Sequence, residues 1–492
     1  MKRSGVLLLP LFFSFFLFYS SGTAGAGPWI PLSGAVHVHS REFSSGDHSI
    51  GELIDMARKR DVDVIVLTDH DRISMSYGFP PFRNLFSVTR SRNSVLKRGA
   101  KLYLETVNRI DAETPDVLLI PALESSPFYY WSGSFWKGTL TAHDWRKHIH
   151  LVGLTDPDVI EHLPLPGNGF STRCFSPLLP RFLVFIGGVL LSLTLILQGG
   201  FLRKAGRVFL VLGILGAMDS HPFKSSRFDP FHGDRGAAPY QEMIDYVNAH
   251  GGMTFWAHPE ARYGDREVVR PRTIAGIHLP GIRMRTGVHP EDLLRTRRYT
   301  GFEALYGDTI HATDPGHEWD RELLEYCNGT RDHPAWGLCG IDFHREGQNS
   351  WSELDRGQTV FWARERSRAA VLAAMRSGRM YAVYQGGGAK LRLDTFNLAS
   401  GNGEPAVSGE EVSARGKTLH LRLSLALSDR SRVPLEVTLI DSGRVVDRLV
   451  GSTPFLLDRE MEPGRSFGYF RVDVRAKRYR LLSNPIFYKR TS

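Results

Sequence analysis

At 492 residues the chain exceeds one ordinary domain, so two are expected. A hydrophobic share of 42%, with 11% aromatic residues, excludes a disordered chain and allows a substantial core. The net charge of +9 carries no long basic block and fits anionic lipid or a phosphorylated substrate, while three cysteines exclude a disulfide framework.

The first residues describe a secretory signal peptide over 1–26. Lys2 and Arg3 precede an apolar run from Val6 to Tyr19, and small residues end in Ala24-Gly25-Ala26. An uncleaved anchor helix is the alternative reading. Export would place the chain in an oxidising compartment. There Cys327 and Cys339 could pair, leaving Cys174 odd.

Ala35 to His39 reads as a strand, and Ser49 to Arg60 as a helix with Ile50, Leu53, Ile54 and Ala57 on one face. Val62 to Leu67 is a buried-type strand ending in Thr68-Asp69-His70-Asp71. This is a βαβ unit with parallel strands. A polar, basic helical stretch follows around Asn93 to Arg109. Strands are expected at Asp116 to Leu123, with Glu124 at the end, and at His148 to Leu154, carrying His150.

Phe182 to Leu197 and Val208 to Met218 are apolar runs around Gly199, Gly200, Arg203, Lys204 and Arg207. They predict a membrane hairpin over 178–218 with its basic turn on the cytoplasmic side. A helical insertion packed on the domain, or dipped into one leaflet, is the other reading. Site residues lie before and after this insertion, so two crossings or none are allowed. With an export signal, the site then lies outside the cytoplasm, periplasmic or at the cell surface.

Beyond it, a helix over Pro239 to Ala249 precedes a strand that ends in His258-Pro259. Phe302 to Leu305 reads as a short strand, and Trp336 to Phe343 as one bearing Asp342 and His344. From about Asp394 the pattern changes. Thr418 to Leu427 alternates strictly, and further short strands follow, predicting an all-β sandwich over 394–492.

The chemistry lies at predicted strand ends: His37, His39, His70, Glu124, His150, His258, Asp342 and His344. Residues two apart on a strand share a side, so His37 with His39, and Asp342 with His344, can share one pocket. Imidazole with carboxylate suits zinc, manganese or iron. The set exceeds what one ion needs, implying two or three divalent ions bridged by a carboxylate.

The ordered motifs HVHS, TDHD, ALES, HLVGL, WAHPEARY and GIDFH resemble the PHP (polymerase and histidinol phosphatase) family. The resemblance covers roughly Gly34 to Tyr384, interrupted by the hairpin. It implies an α/β fold, a distorted (β/α)7 TIM-like barrel over 30–390, and metal-dependent phosphoester hydrolysis. By the same resemblance His37 and His39 hold a first ion with Glu124 and Asp342. Glu124 bridges to a second ion held by His150 and His258, and His70 and His344 hold a third. The family adds a ligand shortly after HxHS. Here Ser44 and Ser45 stand at that place, with Asp47 the first choice and His48 the second. Arg262 and Arg345 are candidates to grip phosphate, and Asp69 and Asp71 to orient His70. The substrate is then a small phosphorylated molecule, with nucleic acid only as an oligonucleotide substrate. A non-catalytic metal-stabilised binding module, or a metallohydrolase acting on an amide or carboxylic ester, are the alternatives.

Overall fold

The computed structural model describes residues 28–269, 272–274, 277–279, 281–347, 353–386, 388–401, 403–414 and 418–490. The expected signal peptide lies outside the described residues.

Strand β1 (Ile30–Val38) is followed by helix α1 (Ile50–Lys59) and strand β2 (Val64–His70). Helix α1 starts where Ser49 caps it: its hydroxyl accepts from the Glu52 amide, and the Glu52 carboxylate accepts from the Ser49 amide. Arg58 and Lys59 complement the dipole in its last turn. Ile50, Leu53 and Ile54 are buried, each contributing about 1.5–3 kcal/mol by leaving water. The expected βαβ unit is present, with β1 and β2 parallel.

The main sheet continues through β3 (Leu118–Ser125), β4 (Ile149–Val152), β5 (Met253–Trp256), β6 (Gly301–Leu305) and β7 (Trp336–Cys339), paired in that order. All these pairings are parallel except those of β4, which runs antiparallel to both β3 and β5. The start of β4, rather than its end, therefore meets the C-terminal ends of its neighbours.

Beyond β7 the chain returns to β1. Ile341 N donates to Val36 O, Phe343 N to His37 O, and His39 N to Phe343 O. A parallel bridge joins Val38 to Phe343. The first half of β1 instead pairs with Gly357–Ala363, which leads through Met380–Gln385 to Tyr479–Ser483. The sheet thus passes without a gap into the C-terminal β-rich region. That region adds a second sheet of Leu391–Ala399, Ala406–Val407, Leu419–Leu427 and Phe455–Met461. The two sheets share a core of Leu393, Leu421, Leu423, Val437, Leu439 and Val472. Leu419–Leu427 buries alternate residues, as its pattern predicts.

Short elements that the sequence reading did not foresee stand beside the strand ends. A ribbon pairs Ser74–Gly78 with Ser87–Ser91. A small sheet joins Tyr130–Ser132, Thr141–His143, Ile282–Arg285 and Asp265–Val269. Tyr129, Trp131, Leu140 and Ala142 form their common core, with Tyr77 and Trp145 packed on it. The helical stretch expected around Asn93 breaks at Gly99 (φ 102°), and the helix proper is α2 (Ala100–Glu113).

The apolar insertion is a pair of helices, α3 (Phe175–Gln198) and α4 (Gly200–Asp219). Helix α3 is long and apolar enough to cross a membrane, and almost none of it is buried. Helix α4 has Arg203, Lys204 and Arg207 in its first turns. The two pack closely because α4 turns glycines towards α3. A Cβ on Gly206 would meet Ile196 and Ser192 at 2.9 Å, and one on Gly216 would meet Phe185 at 2.1 Å. At its far end Asp219 accepts from the Asn84 amide, which ties α4 to the ribbon tip.

All three cysteines are free. The expected pairing of Cys327 with Cys339 is not made. Cys339 is buried within β7, and Cys327 ends helix α6 (Glu318–Cys327), preceded in chain order by α5 (Ala238–Ala249).

Candidate metal centre

The strand ends bring His37, His39, His70, Glu124, His258, Asp342 and His344 to one place. Glu124, at the end of β3 and only 1% exposed, stands at the centre. Its Oε1 lies 3.2 Å from His37 Nε2, 2.6 Å from His148 Nδ1 and 3.2 Å from His258 Nε2. Its Oε2 lies 3.3 Å from His39 Nε2 and 3.2 Å from His70 Nδ1. Asp342 Oδ1 approaches His37 Nε2 at 3.3 Å, His39 Nε2 at 3.4 Å and His344 Nδ1 at 3.4 Å.

The backbone is bent to make this arrangement. His37, His258 and Asp342 have φ of 70°, 31° and 45°, in the left-handed region that side chains other than glycine seldom enter. Such strain persists only where the surroundings over-determine it, and it clusters at functional sites.

Among the described residues, four groupings have ligand atoms within 4.8 Å of one another: His37, His39, Glu124 and Asp342; Glu124, His148 and His258; His39, His70 and His344; and His37, His150 and Glu303. The chemistry of these donors fits divalent cations. Nε2 of His37 and of His39 are buried 3.2–3.4 Å from the Glu124 and Asp342 carboxylates, and none of these contacts has the geometry of a hydrogen bond. Buried polar atoms left in this way cost about 1–3 kcal/mol each unless another ligand meets them. These groups can hold metal ions.

The charges are mutually tuned. Burial would push the Glu124 pKa up, but His148, His37 and His70 outweigh it and hold it well below the usual carboxylate range. Burial works against a charged His37, yet Glu124, Glu303 and Asp342 raise its pKa well above the ordinary value. His344 is depressed to about 4, chiefly by burial and then by His39.

Two residues of the cluster were missed in the sequence. His148 lies just before β4, and the reversal of that strand brings it against Glu124. The signal was there: His148-Ile149-His150 repeats the two-residue spacing of His37 and His39. His150 sits deeper, with Nε2 2.9 Å from Glu303 Oε1. The structure therefore pairs Glu124 and His258 with His148, where the sequence reading had put His150. Glu303 was the other omission, an acid inside the apolar strand GFEAL. A buried carboxylate must be paired. Its Oε1 is 2.7 Å from His37 Nδ1, and its Oε2 accepts from the His258 amide at 2.7 Å.

Asp47 is exposed and joins none of these groupings; its amide donates to the His344 carbonyl. His48 stacks on Phe343 instead. Ser44 and Ser45 make direct contacts, with hydroxyls 3.4 Å from His39 Nδ1 and 3.0 Å from His344 Nε2. Asp69 and Asp71 do not orient His70. Asp69 accepts from the Ser40 amide at 2.6 Å and its hydroxyl at 2.7 Å, while Asp71 accepts from the Arg72 amide.

A cleft of about 620 Å³ opens over the cluster. Arg262 lines it, together with Arg72, Arg92, Arg146 and Arg266, which the sequence reading did not single out. Arg345 is exposed and is not among the residues that line the cleft, although its neighbour His344 is. Arg146 lies over the Tyr263 ring at 4.9 Å, and Tyr263 Oη is 3.0 Å from His258 Nδ1.

Glu303 holds His37 in the orientation that turns Nε2 towards Glu124. Gly340 permits it: a Cβ there would meet Glu303 Oε1 at 1.9 Å. Glu303→Gln is expected to weaken metal binding by about 10–100-fold, the usual cost of losing a carboxylate behind a histidine ligand. Competition against a fluorescent chelator measures this, and unchanged affinity would contradict the role.

No family description matches this chain, and no curated protein matches it. Among solved structures it is similar to a two-domain protein containing a predicted PHP-like metal-dependent phosphoesterase from Bacteroides vulgatus. That likeness has 14% identity and a TM-score of 0.36, and covers 90% of each chain. A DUF3823 family protein from Bacteroides ovatus matches 20% of this chain and 55% of its own, at 14% identity and a TM-score of 0.14.

Proposed function

We propose that this chain is a metal-dependent phosphoesterase of the PHP type. The observation that carries the reading is the convergence of buried imidazoles on Glu124 and Asp342, with ring nitrogens left without a hydrogen bond beneath an arginine-lined cleft. Strands β1 to β7, joined by the hydrogen bonds from 341–343 to β1, act as the distorted seven-stranded barrel. Residues 394–492 act as an accessory sandwich.

His37, His39, Glu124 and Asp342 would hold one ion, and Glu124, His148 and His258 a second. His70 and His344, with His39, would hold a third. Bound divalent cations supply Lewis acidity and lower the pKa of water to near neutrality. The protein's own residues do the rest. Arg262 and Arg146 bind the non-bridging phosphate oxygens, favouring bidentate geometry. Burial raises the Tyr263 pKa well above its ordinary value, so its hydroxyl stays protonated. It then donates a hydrogen bond towards the departing oxygen.

The helix pair would be a membrane anchor. At 24 residues α3 spans roughly 36 Å, enough for a hydrocarbon layer of about 30 Å. The basic start of α4 then faces the cytoplasm, and the metal centre lies outside it.

Protons compete with cations for the same imidazoles. Burial disfavours protonated His39, but the adjacent Asp342 and Glu124 carboxylates outweigh it and raise its pKa to about 9. In the metal-free protein this contributes stability that is full below 6.5 and lost as pH rises through about 9. Metal binding requires neutral His39. The rise in melting temperature on adding Mn²⁺ is therefore expected to grow across that window. A rise independent of pH would contradict it.

The function itself is tested by chelation. Hydrolysis of p-nitrophenyl phosphate, or of its bis ester, is expected to stop after dialysis against a chelator and return on adding Mn²⁺ or Zn²⁺. Chelator-insensitive turnover, or turnover of carboxylic esters and amides alone, would contradict the proposal.

A further inference from the structure

Two turns near the metal cleft carry exposed aromatic side chains that the site does not use. One is the tip of the ribbon between Gly78 and Ser87, where Phe86 is 51% exposed. The other is the turn at 133–138 in the small sheet, where Trp136 is 82% exposed. Ring contacts join them into one surface. Phe79 meets Phe135 edge to face at 5.9 Å, Phe135 meets Trp136 at 5.3 Å, and Phe82 lies 6.4 Å from Phe86.

This surface is fastened to the end of the helix pair. Asp219, the last residue of α4, accepts from the Asn84 amide at 2.7 Å and from the Leu85 amide at 3.2 Å. Its carbonyl accepts from Asn84 Nδ2 at 3.2 Å. The ribbon tip therefore stands level with the point at which α4 ends. A helix that crosses a membrane ends at the interface, and that layer is where aromatic side chains collect.

Charge and backbone fit the same place. Residues 74–91 and 130–143 hold Arg83, Arg90 and Lys137 and no acid, which suits lipid phosphates. Backbone donors at both turns are already paired within the chain. Besides the two taken by Asp219, Phe86 N donates to Phe82 O, Gly138 N to Phe135 O and Thr139 N to Ser134 O. Backbone paired in this way can enter a water-poor layer without leaving those donors unsatisfied.

We propose that the ribbon tip and the 133–138 turn form a second membrane contact, seated in the headgroup layer of the bilayer that α3 crosses. Phe86 and Trp136 would enter that layer, and Arg83 and Lys137 would meet lipid phosphates. The contact rests on the anchor reading given above. The foot of the same ribbon leads into Arg92, which lines the metal cleft. Five residues per strand set that foot about 17 Å from the tip. The contact thereby fixes how far the cleft stands from the membrane.

The test places an environment-sensitive fluorophore on single cysteines of the full chain. Cys174 and Cys339 are buried, so Cys327→Ser supplies the background. Phe86→Cys and Trp136→Cys are labelled separately, and unchanged melting temperatures check the fold. The chains are reconstituted in vesicles of phosphatidylcholine and phosphatidylglycerol. Both probes are expected to shift to shorter wavelength. Headgroup-level nitroxide lipids should quench them several times more than a probe at Val450, which is 83% exposed in the C-terminal region. Nitroxides deep in the acyl chains should quench them less, as for side chains seated about 5–10 Å into the interface. A probe at Leu190 on α3, 60% exposed, tests the anchor separately and should be quenched by the deep nitroxides. If Leu190 is quenched while the probes at 86 and 136 match Val450, the contact is overturned and the anchor stands. If Leu190 also matches Val450, the anchor reading fails and the contact with it. A shift at 86 and 136 without quenching would mean that protein covers the surface, and would overturn the contact as well.

Discussion

Asp342→Ala is expected to cut turnover of bis(p-nitrophenyl) phosphate by about a thousandfold or more, with the loss in kcat. A Lewis acid supplies several kcal/mol of transition-state stabilisation, and each 1.36 kcal/mol is tenfold in rate. Asp342 Oδ1 approaches His37, His39 and His344 together, and its removal takes one ligand from the grouping it forms with His37, His39 and Glu124. The variant should also lose bound metal, which separates its role from a purely structural one. Wild-type turnover with the carboxylate gone would remove Asp342 from the site.

The largest expected effect on stability lies elsewhere. Arg471 of Phe467–Ala476 and Asp320 of α6 are both fully buried. Arg471 Nε and Nη2 each donate to Asp320 at 2.7 Å, and the Tyr469 hydroxyl donates to the same carboxylate at 2.8 Å. The pair fastens the C-terminal β-rich region to the metal-binding region. Arg471→Met leaves Asp320 buried without its cation and is expected to cost about 3–5 kcal/mol in urea unfolding. Adding Asp320→Leu should recover part of that loss, because the penalty comes chiefly from the uncompensated charge. A single-variant cost below about 1 kcal/mol, as for an exposed pair, would contradict this account.

Much of the centre could be read from local pattern alone. His37 with His39 and Asp342 with His344 are visible because a two-residue spacing places both side chains on one side of a strand. Helix α1 is legible from the spacing of Ile50, Leu53, Ile54 and Ala57. What escaped depends on long-range pairing. Nothing local marks β4 as reversed, yet the reversal exchanges His148 for His150 against Glu124. Glu303 contacts His37 across 266 positions, so only the assembled sheet reveals it. Asp47 is what the family resemblance implies after HxHS, but the turn is set by Ser40, whose hydroxyl and amide bind Asp69, and Asp47 is exposed. The change of pattern near Asp394 was legible too, although Val360, Tyr381 and Val383 before it already pack in the C-terminal core.

The most direct measurement is the metal content of the full chain, purified without added metal and assayed on the same sample against a phosphoester panel. Elemental analysis is expected to find two or more equivalents of zinc, manganese or iron, rising and falling with phosphoesterase activity as metal is removed and restored. A fully loaded chain that hydrolyses no phosphomonoester or phosphodiester, or a metal-free chain that hydrolyses them at full rate, would contradict the account.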